Sequence, residues 1–229
     1  MELLKSGSKG NLVGYLQKKL LELNYQVKVS GTFDDATLTA VKAFQTSKGL
    51  ISDGLVGGQT WTQVYLATEP VRKTTGHKDR HNNILHLHPR VRVAVVKVFI
   101  QLQAEEIPFR IFEAFRYPER QAELYAQGRT KAGSIVTYAR PWQSYHQYGL
   151  AADFVLFVNG DWSWNDAGDK RKWWAKMHQL GAEEGLMRLN FEIPHLQIAG
   201  TNVNDLRKGI YPPNGDKAWH DNLLLAKKK

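Results

Sequence analysis

The sequence predicts an α+β protein with a small N-terminal domain of three helices and a larger C-terminal domain that combines strands with helices. Three observations lead to this fold class. Helical periodicity and Gly-containing turns fill the chain up to about residue 66. A polar segment without periodicity follows, and beyond it β-branched and aromatic runs alternate with amphipathic helical segments. We therefore predict domains at residues 1–66 and 84–229, joined by a linker at 67–83.

The composition narrows the chemistry that is open to this chain. Its 229 residues can form one large or two small domains, each able to bury a core. The sequence has no cysteine, so any metal must be held by His and carboxylate side chains. The N-terminus has no apolar stretch of signal-peptide length, and no run is long enough to span a membrane. We expect a protein that is made in the cytoplasm and does not insert stably into a membrane.

The formal net charge of +9 suggests a polyanionic partner, which could be nucleic acid, an anionic membrane or an anionic cell wall. No run interleaves basic and aromatic residues as single-strand nucleic-acid platforms do. The dense basic cluster at 227–229 is interpreted as a solvated tail. Nucleic acid is therefore not expected, and charge alone does not choose between the other two.

Three turn-and-helix segments account for the N-terminal domain. Apolar residues recur at helical spacing in 11–23 and again in 35–45, where the turn at 31–35 supplies an N-cap. The segment 53–61 repeats the turn and starts a third, short helix. The aromatic residues of these segments are expected in the buried core: Phe33, Phe44 and Trp61.

These segments also carry short patterns: LQ in the first helix, GxF before the second, AVxxFQ within it and DGxxGxxTW at the end. Together they resemble the peptidoglycan-binding domain that is often fused to cell-wall hydrolases. The resemblance covers nearly the whole domain and implies peptidoglycan as a partner. Most of the matching positions are core or turn positions, so the resemblance indicates the fold and identifies no binding residue.

Beyond the linker, periodicity predicts the elements of the C-terminal domain. They are a helix at 90–105, a strand at 109–115, a helix at 119–127, a hairpin turn at 159–161, a helix at 170–186 that buries Trp173, Trp174, Met177 and Leu180, and a short helix at 217–226. Four histidines precede or open this domain without a positioned acid, and we interpret them as solvated or capping residues rather than as a second metal site: His77, His81, His86 and His88.

A candidate metal site begins with His146 and Asp153, which lie seven positions apart with Gly149 between them and an apolar, β-branched run after them. This pattern suits two ligands that converge on one cation where a loop enters a strand. Imidazole and carboxylate together favour zinc or a similar transition metal over calcium or magnesium. The alternative is a turn His and a strand-capping Asp without a metal.

A second segment supplies His195 and, three residues before it, Glu192. Two His and one Asp would fill three positions of a tetrahedral zinc and leave the fourth for water or substrate. Glu192 would then act as the general base that takes a proton from the attacking water. Pro194 excludes a regular helix here, so a bend or loop must bring Glu192 and His195 together.

The patterns SxHxxGxAxD at 144–153 and ExPH at 192–195 resemble the zinc peptidases of the D-alanyl-D-alanine carboxypeptidase and VanY group. Nearby residues at 128–137 and the Trp-containing helix that follows are most similar to the bacteriophage endolysin branch, the L-alanyl-D-glutamate peptidases. The resemblance covers about 89–198 and implies an antiparallel sheet flanked by helices. It also implies a zinc cofactor whose ligands are His146, Asp153 and His195, with Glu192 as the catalytic base.

In the same family, the Arg of an R-x(4)-Q pattern stabilises the negative charge on the attacked carbonyl oxygen, and here that pattern is Arg116 and Gln121. The alternative for Arg116 is a surface ion pair with Glu113 or Glu119. Ser144 is expected to hydrogen-bond a ligand or the substrate. A Ser144–His146 nucleophile and base is disfavoured because the strained elbow and the third orienting group of serine hydrolases are missing.

One departure from the family concerns a wall of the cleft. Family members usually carry a GG-W pattern before the second His, whereas this chain has Leu-Met-Arg-Leu-Asn-Phe at 186–191. The departure affects the expected substrate and leaves the ligands in place. His178, which lies near the apolar stripe of the preceding helix, is interpreted as a packed helix residue.

The resemblance implies a bacteriolytic zinc endopeptidase, an endolysin that hydrolyses the peptidoglycan stem peptide at the L-Ala-D-Glu bond. It is expected as a monomer that is made in the host bacterial cytoplasm and acts on the cell wall after release. One alternative keeps the chemistry but changes the bond, as in a D-alanyl-D-alanine carboxypeptidase or dipeptidase. Another is a wall-binding protein whose peptidase domain is inactive.

Overall fold

The computed structural model describes residues 1–228. The chain forms two compact units, one made of Met1–Pro70 with Val93–Phe109 and the other of Val71–Arg92 with the chain from Arg110 onward. The α-helices of the described residues are α1 (Asn11–Glu22), α2 (Asp35–Ser47), α3 (Gly58–Thr68), α4 (Pro89–Ala104), α5 (Pro118–Ala126), α6 (Lys170–Glu183), α7 (Val203–Arg207) and α8 (Lys217–Lys227). Short 3-10 helices lie at Ile84–His86 and Tyr145–Tyr148.

The first unit is held together by an apolar core and by two buried amides. The three aromatic residues predicted for the core, Phe33, Phe44 and Trp61, are at most 1% exposed. Gln17 on α1 accepts hydrogen bonds from the backbone of the loop before α2, and Gln45 on α2 does the same for the loop before α3. The Gln residues of the LQ and FQ patterns therefore fix the turns that follow them, because a buried backbone N–H must find an acceptor.

A five-stranded sheet forms the centre of the second unit. Its strands are β1 (Phe109–Glu113), β2 (Ala151–Val158), β3 (Asp161–Ser163), β4 (Leu186–Leu189) and β5 (Glu192–Ile198). The order is β1-β2-β5-β4, and β3 pairs with β2 through the predicted hairpin turn. The pairs β2–β3, β2–β5 and β4–β5 are antiparallel. The predicted α+β class with an antiparallel sheet and flanking helices is confirmed.

The helix α6 packs on β4 and β5 and differs in detail from the prediction. It ends at Glu183 rather than Leu186, because Gly185 adopts a φ of 78° and Leu186 already begins β4. Trp174, Met177 and Leu180 are buried as predicted, whereas Trp173 is only partly buried. The predicted C-terminal helix is present as α8, and it packs on both 3-10 helices.

The segment 71–83 contains no helix or strand but is tied to the second unit. Arg80 donates a hydrogen bond of 2.7 Å to the Phe112 carbonyl, and the Ala114 amide donates one to the His81 carbonyl, also 2.7 Å long. Within residues 1–228, the group of His and acidic side chains that could hold a metal lies elsewhere and includes none of the four early histidines. Of these four, His81 and His88 are buried, so they are not the solvated residues that were predicted. The boundaries 1–66, 67–83 and 84–229 stay a prediction.

None of the helices described for residues 1–228 has the length and apolar character that crossing a membrane requires.

Candidate metal centre

The three predicted ligands converge on one point in the second unit. Nε2 of His146 lies 3.1 Å from Oδ1 of Asp153 and 3.1 Å from Nδ1 of His195, and the last two atoms are 3.2 Å apart. The three ligand atoms therefore form a nearly equilateral triangle. Among the described residues this is the group of His and acidic side chains with metal-site geometry.

Secondary structure places each ligand. Asp153 on β2 lies directly opposite His195 on β5, and residues in such a cross-strand pair point to the same face of the sheet. His146 lies in the 3-10 helix just before β2, which ends at Gly149 in the left-handed conformation. The amide of Arg116 donates a hydrogen bond to the His146 carbonyl, which ties this short helix to the chain after β1.

The outer nitrogen of each imidazole has a partner that fixes the tautomer. Nδ1 of His146 donates to the Ala114 carbonyl at 2.7 Å, and Nε2 of His195 donates to Oε1 of Gln197 at 2.9 Å. The inner nitrogens of the neutral rings thus carry lone pairs that face the Asp153 carboxylate. Sequence reasoning did not identify Gln197, although its position two residues after His195 on a strand places both side chains on one face.

These donors fit a zinc ion. Tetrahedral zinc with bonds of about 2.0–2.1 Å has ligand atoms about 3.3 Å apart, close to the edges of the observed triangle. Two lone pairs and a carboxylate oxygen at such distances repel one another unless a proton or a cation lies between them. The chain therefore presents three ligands of the nitrogen and oxygen type that zinc prefers and leaves a fourth position open.

In this site, burial and the neighbouring charges shift the pKa values of Asp153 and His195 in opposite directions. Burial favours the neutral form of Asp153, but His146, His195 and Arg116 hold the pKa of its carboxyl well below its usual range. Burial lowers the pKa of His195, yet its hydrogen bond to Asp153 and the charge of that carboxylate raise the pKa above the usual value. The proton that His195 takes up on Nδ1 lies where a metal would bind, so proton and metal compete for one position.

A β-bulge brings Glu192 and His195 together. Arg188 of β4 pairs with Leu196 of β5, but the next residue, Leu189, pairs with Glu192, so residues 193–195 form the bulge. The bend expected from Pro194 is thus a distortion within a strand, where proline is tolerated. Oε2 of Glu192 comes within 3.7 Å of Nδ1 of His195. His178 of α6 donates to the Ile193 carbonyl at 2.8 Å and so holds the bulge, a role that sequence reasoning missed.

Arg116 is buried and bonded to the site rather than lying on the surface. It donates to Glu113 through Nε and Nη2, to Oδ2 of Asp153 at 3.1 Å and to Oε1 of Gln121 at 3.1 Å. Gln121 in turn donates 2.6 Å to the Ala139 carbonyl. The predicted pair with Glu113 exists, but Glu113 is 1% exposed, so the pair is part of the site wall.

Ser144 contacts the predicted ligand His146 through the backbone. It caps the 3-10 helix at Tyr145–Tyr148, with its hydroxyl accepting from the His146 amide at 3.4 Å. The Gln147 side chain accepts from the Ser144 amide at 3.2 Å and completes a capping box. The structure therefore places Ser144 where it can fix the position of His146.

A cleft of about 530 Å³ reaches the predicted ligand Asp153 and the predicted base Glu192. Its charged lining residues are Glu113, Arg116, Arg120, Asp153 and Glu192. Aromatic and apolar side chains form the remaining walls, including Phe112, Trp164, Trp174 and Phe191. Phe191 is 75% exposed and stands in the segment that departs from the family pattern.

Comparisons with known proteins identify the family of this chain. The family model of the VanY D-alanyl-D-alanine carboxypeptidases matches residues 84–202, which is more than half of the chain and contains all three predicted ligands and Glu192. The chain belongs to this VanY family. A second model, that of a peptidoglycan binding domain, matches residues 9–64.

One curated relative of this VanY-family chain is the peptidoglycan L-alanyl-D-glutamate endopeptidase CwlK of Bacillus subtilis (strain 168). The two are 50% identical over 70 residues, which is 31% of this chain and 42% of CwlK, so the match spans less than half of that relative. A crystal structure of a Burkholderia AP3 phage endolysin aligns over 99% of this chain and 84% of its own length. Its identity is 20% and its TM-score is 0.29, values too low to establish a shared fold.

Proposed function

We propose that this chain is a zinc-dependent endopeptidase that hydrolyses the L-Ala-D-Glu bond of peptidoglycan stem peptides. The observation that carries the proposal is the open triangle of three ligand atoms with the Glu192 carboxylate 3.7 Å from one of them. The ligand count is that of catalytic zinc sites. The CwlK relative supports the choice of bond, and the match to a peptidoglycan binding domain supports peptidoglycan as the partner.

His146, Asp153 and His195 would hold the ion. Bound zinc supplies a Lewis acid that polarises the carbonyl and lowers the pKa of a water to about 7. Glu192 takes the proton from the attacking water and passes it to the leaving amine of D-Glu. Within residues 1–228, four of the five N–H groups of Arg116 have partners, and the remaining one on Nη1 is available to the carbonyl oxygen as its negative charge develops.

The family description favours a second candidate, a carboxypeptidase that releases the terminal D-Ala from a D-Ala-D-Ala stem. It would use the same metal and the same base, because both reactions hydrolyse an amide. The products distinguish the two enzymes. The endopeptidase makes new D-Glu amino termini, the carboxypeptidase releases free D-Ala, and an amidase would make new L-Ala amino termini.

The test is mass spectrometry of purified peptidoglycan after digestion with the zinc-loaded chain. We expect D-Glu amino termini that disappear after chelation. In Glu192→Gln the rate should fall by about 10²–10⁴-fold with zinc still bound, because the base is lost and the ligands stay. Asp169→Asn, which changes a carboxylate that is 92% exposed, serves as the matched control and should keep full activity.

Unchanged stem peptides from wild type with stoichiometric zinc would contradict the proposal and support the wall-binding alternative. We further propose that the protein acts as a monomer on the cell wall after release from the bacterium in which it is made. The net charge of +9 supports retention on an anionic wall.

A further inference from the structure

The cleft contains a second guanidinium that the proposed chemistry does not use. Arg120 of α5 lines the cleft, and its side chain is 21% exposed. Its Nε donates to Oε1 of Glu113 at 2.8 Å. Nη1 reaches the Lys78 carbonyl only at 3.5 Å, the outer limit of a hydrogen bond. Within residues 1–228, Nη2 and one N–H of Nη1 have no protein acceptor, so one edge of this guanidinium is open to a ligand.

Arg120 differs from Arg116 in this respect. Glu113 accepts from both arginines, with Oε2 bonded to Arg116 and Oε1 to Arg120. Arg116 also donates to Asp153 and Gln121 and retains a single N–H. The buried Glu113 carboxylate therefore faces two cations. Of these two, Arg116 also contacts the Asp153 carboxylate, whereas Arg120 shares only Glu113, so the charge of Arg120 is the less neutralised.

The position of Arg120 is fixed relative to the metal ligands. Its guanidinium is linked through Glu113 to Arg116, and Nη2 of Arg116 bonds Oδ2 of the ligand Asp153. Because Glu113 is 1% exposed and bonded at both oxygens, the two guanidinium groups are held side by side in the cleft wall. A substrate whose scissile carbonyl lies at the metal would meet Arg120 a short way along its chain.

The proposed substrate carries a negative charge at that place. In a stem peptide, D-Glu continues the chain through its γ-carboxyl, so its α-carboxylate is free unless it has been amidated. This carboxylate is attached to the carbon that bears the scissile nitrogen. An Arg that is anchored at Nε and open at both terminal nitrogens matches the planar, two-pronged geometry of a carboxylate.

We propose that Arg120 binds the free α-carboxylate of D-Glu and makes the enzyme selective for stem peptides in which this group is not amidated. The inference rests on the proposed function and deepens it. Amidation to D-isoglutamine removes the charge and one acceptor oxygen while leaving the scissile bond unchanged. Hydrogen bonds to charged groups contribute about 1.5–3 kcal/mol, so the preference should be about ten- to a hundredfold in kcat/KM.

The experiment uses two synthetic peptides, N-acetyl-L-Ala-γ-D-Glu-L-Lys and the same peptide with the α-carboxyl amidated. Cleavage by the zinc-loaded full chain is followed by liquid chromatography and mass spectrometry. Wild type should prefer the free acid by about ten- to a hundredfold, mainly through KM. Arg120→Gln should bring the ratio of the two kcat/KM values close to one, and Arg120→Lys should give an intermediate ratio because it keeps the charge without the fork.

Arg171→Gln, which changes an exposed Arg on α6, is the matched control and should keep the wild-type ratio. The ratio is informative even where Arg120→Gln lowers the absolute rate, because loss of the Glu113 contact affects both peptides alike. Equal cleavage of both peptides by wild type, or an unchanged preference in Arg120→Gln, would overturn the inference and leave the proposed function intact. Cleavage of neither peptide by zinc-loaded wild type would remove both.

Discussion

The inner nitrogen of His195, Nδ1, is placed where it can bind either a proton or a metal ion. The Nε2–H of the ring is fixed by Gln197, and its Nδ1 faces Asp153 and His146. Without a metal, a proton on Nδ1 bonds the Asp153 carboxylate, and this hydrogen bond and the negative charge of Asp153 raise the pKa of the ring. In the proposed metal-bound state, the same nitrogen would be a ligand. The residue would then exchange an ion pair for a coordination bond without moving its outer hydrogen bond.

This competition predicts a pH dependence of zinc binding. Because the pKa of His195 is raised above its ordinary 6.5, the ion pair stabilises the metal-free protein fully at pH below the unfolded-state pKa. That contribution is lost as the pH rises through the higher folded-state pKa. Zinc must displace the proton, so the apparent affinity should fall about tenfold for each pH unit below the folded-state pKa and level off above it.

The measurement is a zinc titration against a competing chelator from about pH 5 to about pH 8. Asp153 stays ionised over this range because its pKa is well below the ordinary value, so its own protonation should not contribute. An affinity that is flat across the range would show that His195 does not take up the competing proton.

At the residue scale, the sequence pointed to the three side chains that converge in the structure and to Ser144, but it missed other groups that hold the predicted ligands in place. His146, Asp153 and His195 stood out because their types and spacing are typical of a metal site. The Ala114 carbonyl could not be recognised, since any residue has one. Gln197 and His178 depend on strand pairing and on the bulge, which long-range contacts determine.

At the scale of elements, the short 3-10 helix before β2 is closely enclosed by its surroundings. It ends at Gly149, whose φ is 67°. A Cβ at this position would lie 2.5 Å from the His86 carbonyl oxygen and 2.9 Å from Cδ1 of Trp219. The helix that carries His146, a predicted ligand, is thus enclosed by the segment before α4 and by α8, to which the sequence analysis had assigned no role.

We expect Gly149→Ala to lower the free energy of unfolding by more than about 2 kcal/mol, since the left-handed conformation alone costs about 1–2 kcal/mol and the clash adds to it. Gly160→Ala is the matched control. Gly160 also has a positive φ, 87°, but no atom lies within 4 Å of its added Cβ. Chemical denaturation of the metal-free proteins measures the difference. Equal losses in the two variants would mean that the packing around Gly149 adapts and does not constrain the helix.

The bulge in β5 shows which features of the backbone near Pro194 the local sequence could predict and which it could not. Pro194 correctly excluded a helix, and the need to bring Glu192 near His195 correctly required a bend. A proline motif alone does not distinguish a loop from a strand with a bulge, because the distinction lies in pairing with β4. The predicted end of α6 was too late for a similar reason. An apolar residue such as Leu186 suits a helix or a strand equally well, and its pairing with Ile198, which places it in β4, is a contact with a later part of the chain.

At the scale of the whole molecule, the first compact unit includes a segment of the chain well beyond residue 70. Residues Val93–Phe109, which lie in the predicted peptidase domain, belong to the same unit as Met1–Pro70. Within that unit, the rings of Phe99 and Tyr65 meet edge to face at 5.0 Å, and Phe99 is fully buried. Helical periodicity could show that this side of α4 is apolar but not which part of the chain covers it.

A fragment of residues 84–229, cut at the predicted boundary, should therefore be less stable than the full chain. Exposing large apolar side chains such as Phe99 costs about 1.5–3 kcal/mol each, which corresponds to a melting temperature lower by roughly 5 °C or more.

The sharper test is Phe99→Gln in both the full chain and the fragment of residues 84–229. The substitution should destabilise the full chain strongly, because it places an amide in the apolar core, and should cost the fragment much less, because the site is already open to water. Thermal unfolding of the four zinc-loaded proteins measures both effects. A fragment that melts with the full chain and is destabilised equally by Phe99→Gln would show that residues 84–229 bury α4 on their own and that the boundary at 67–83 marks two independent domains.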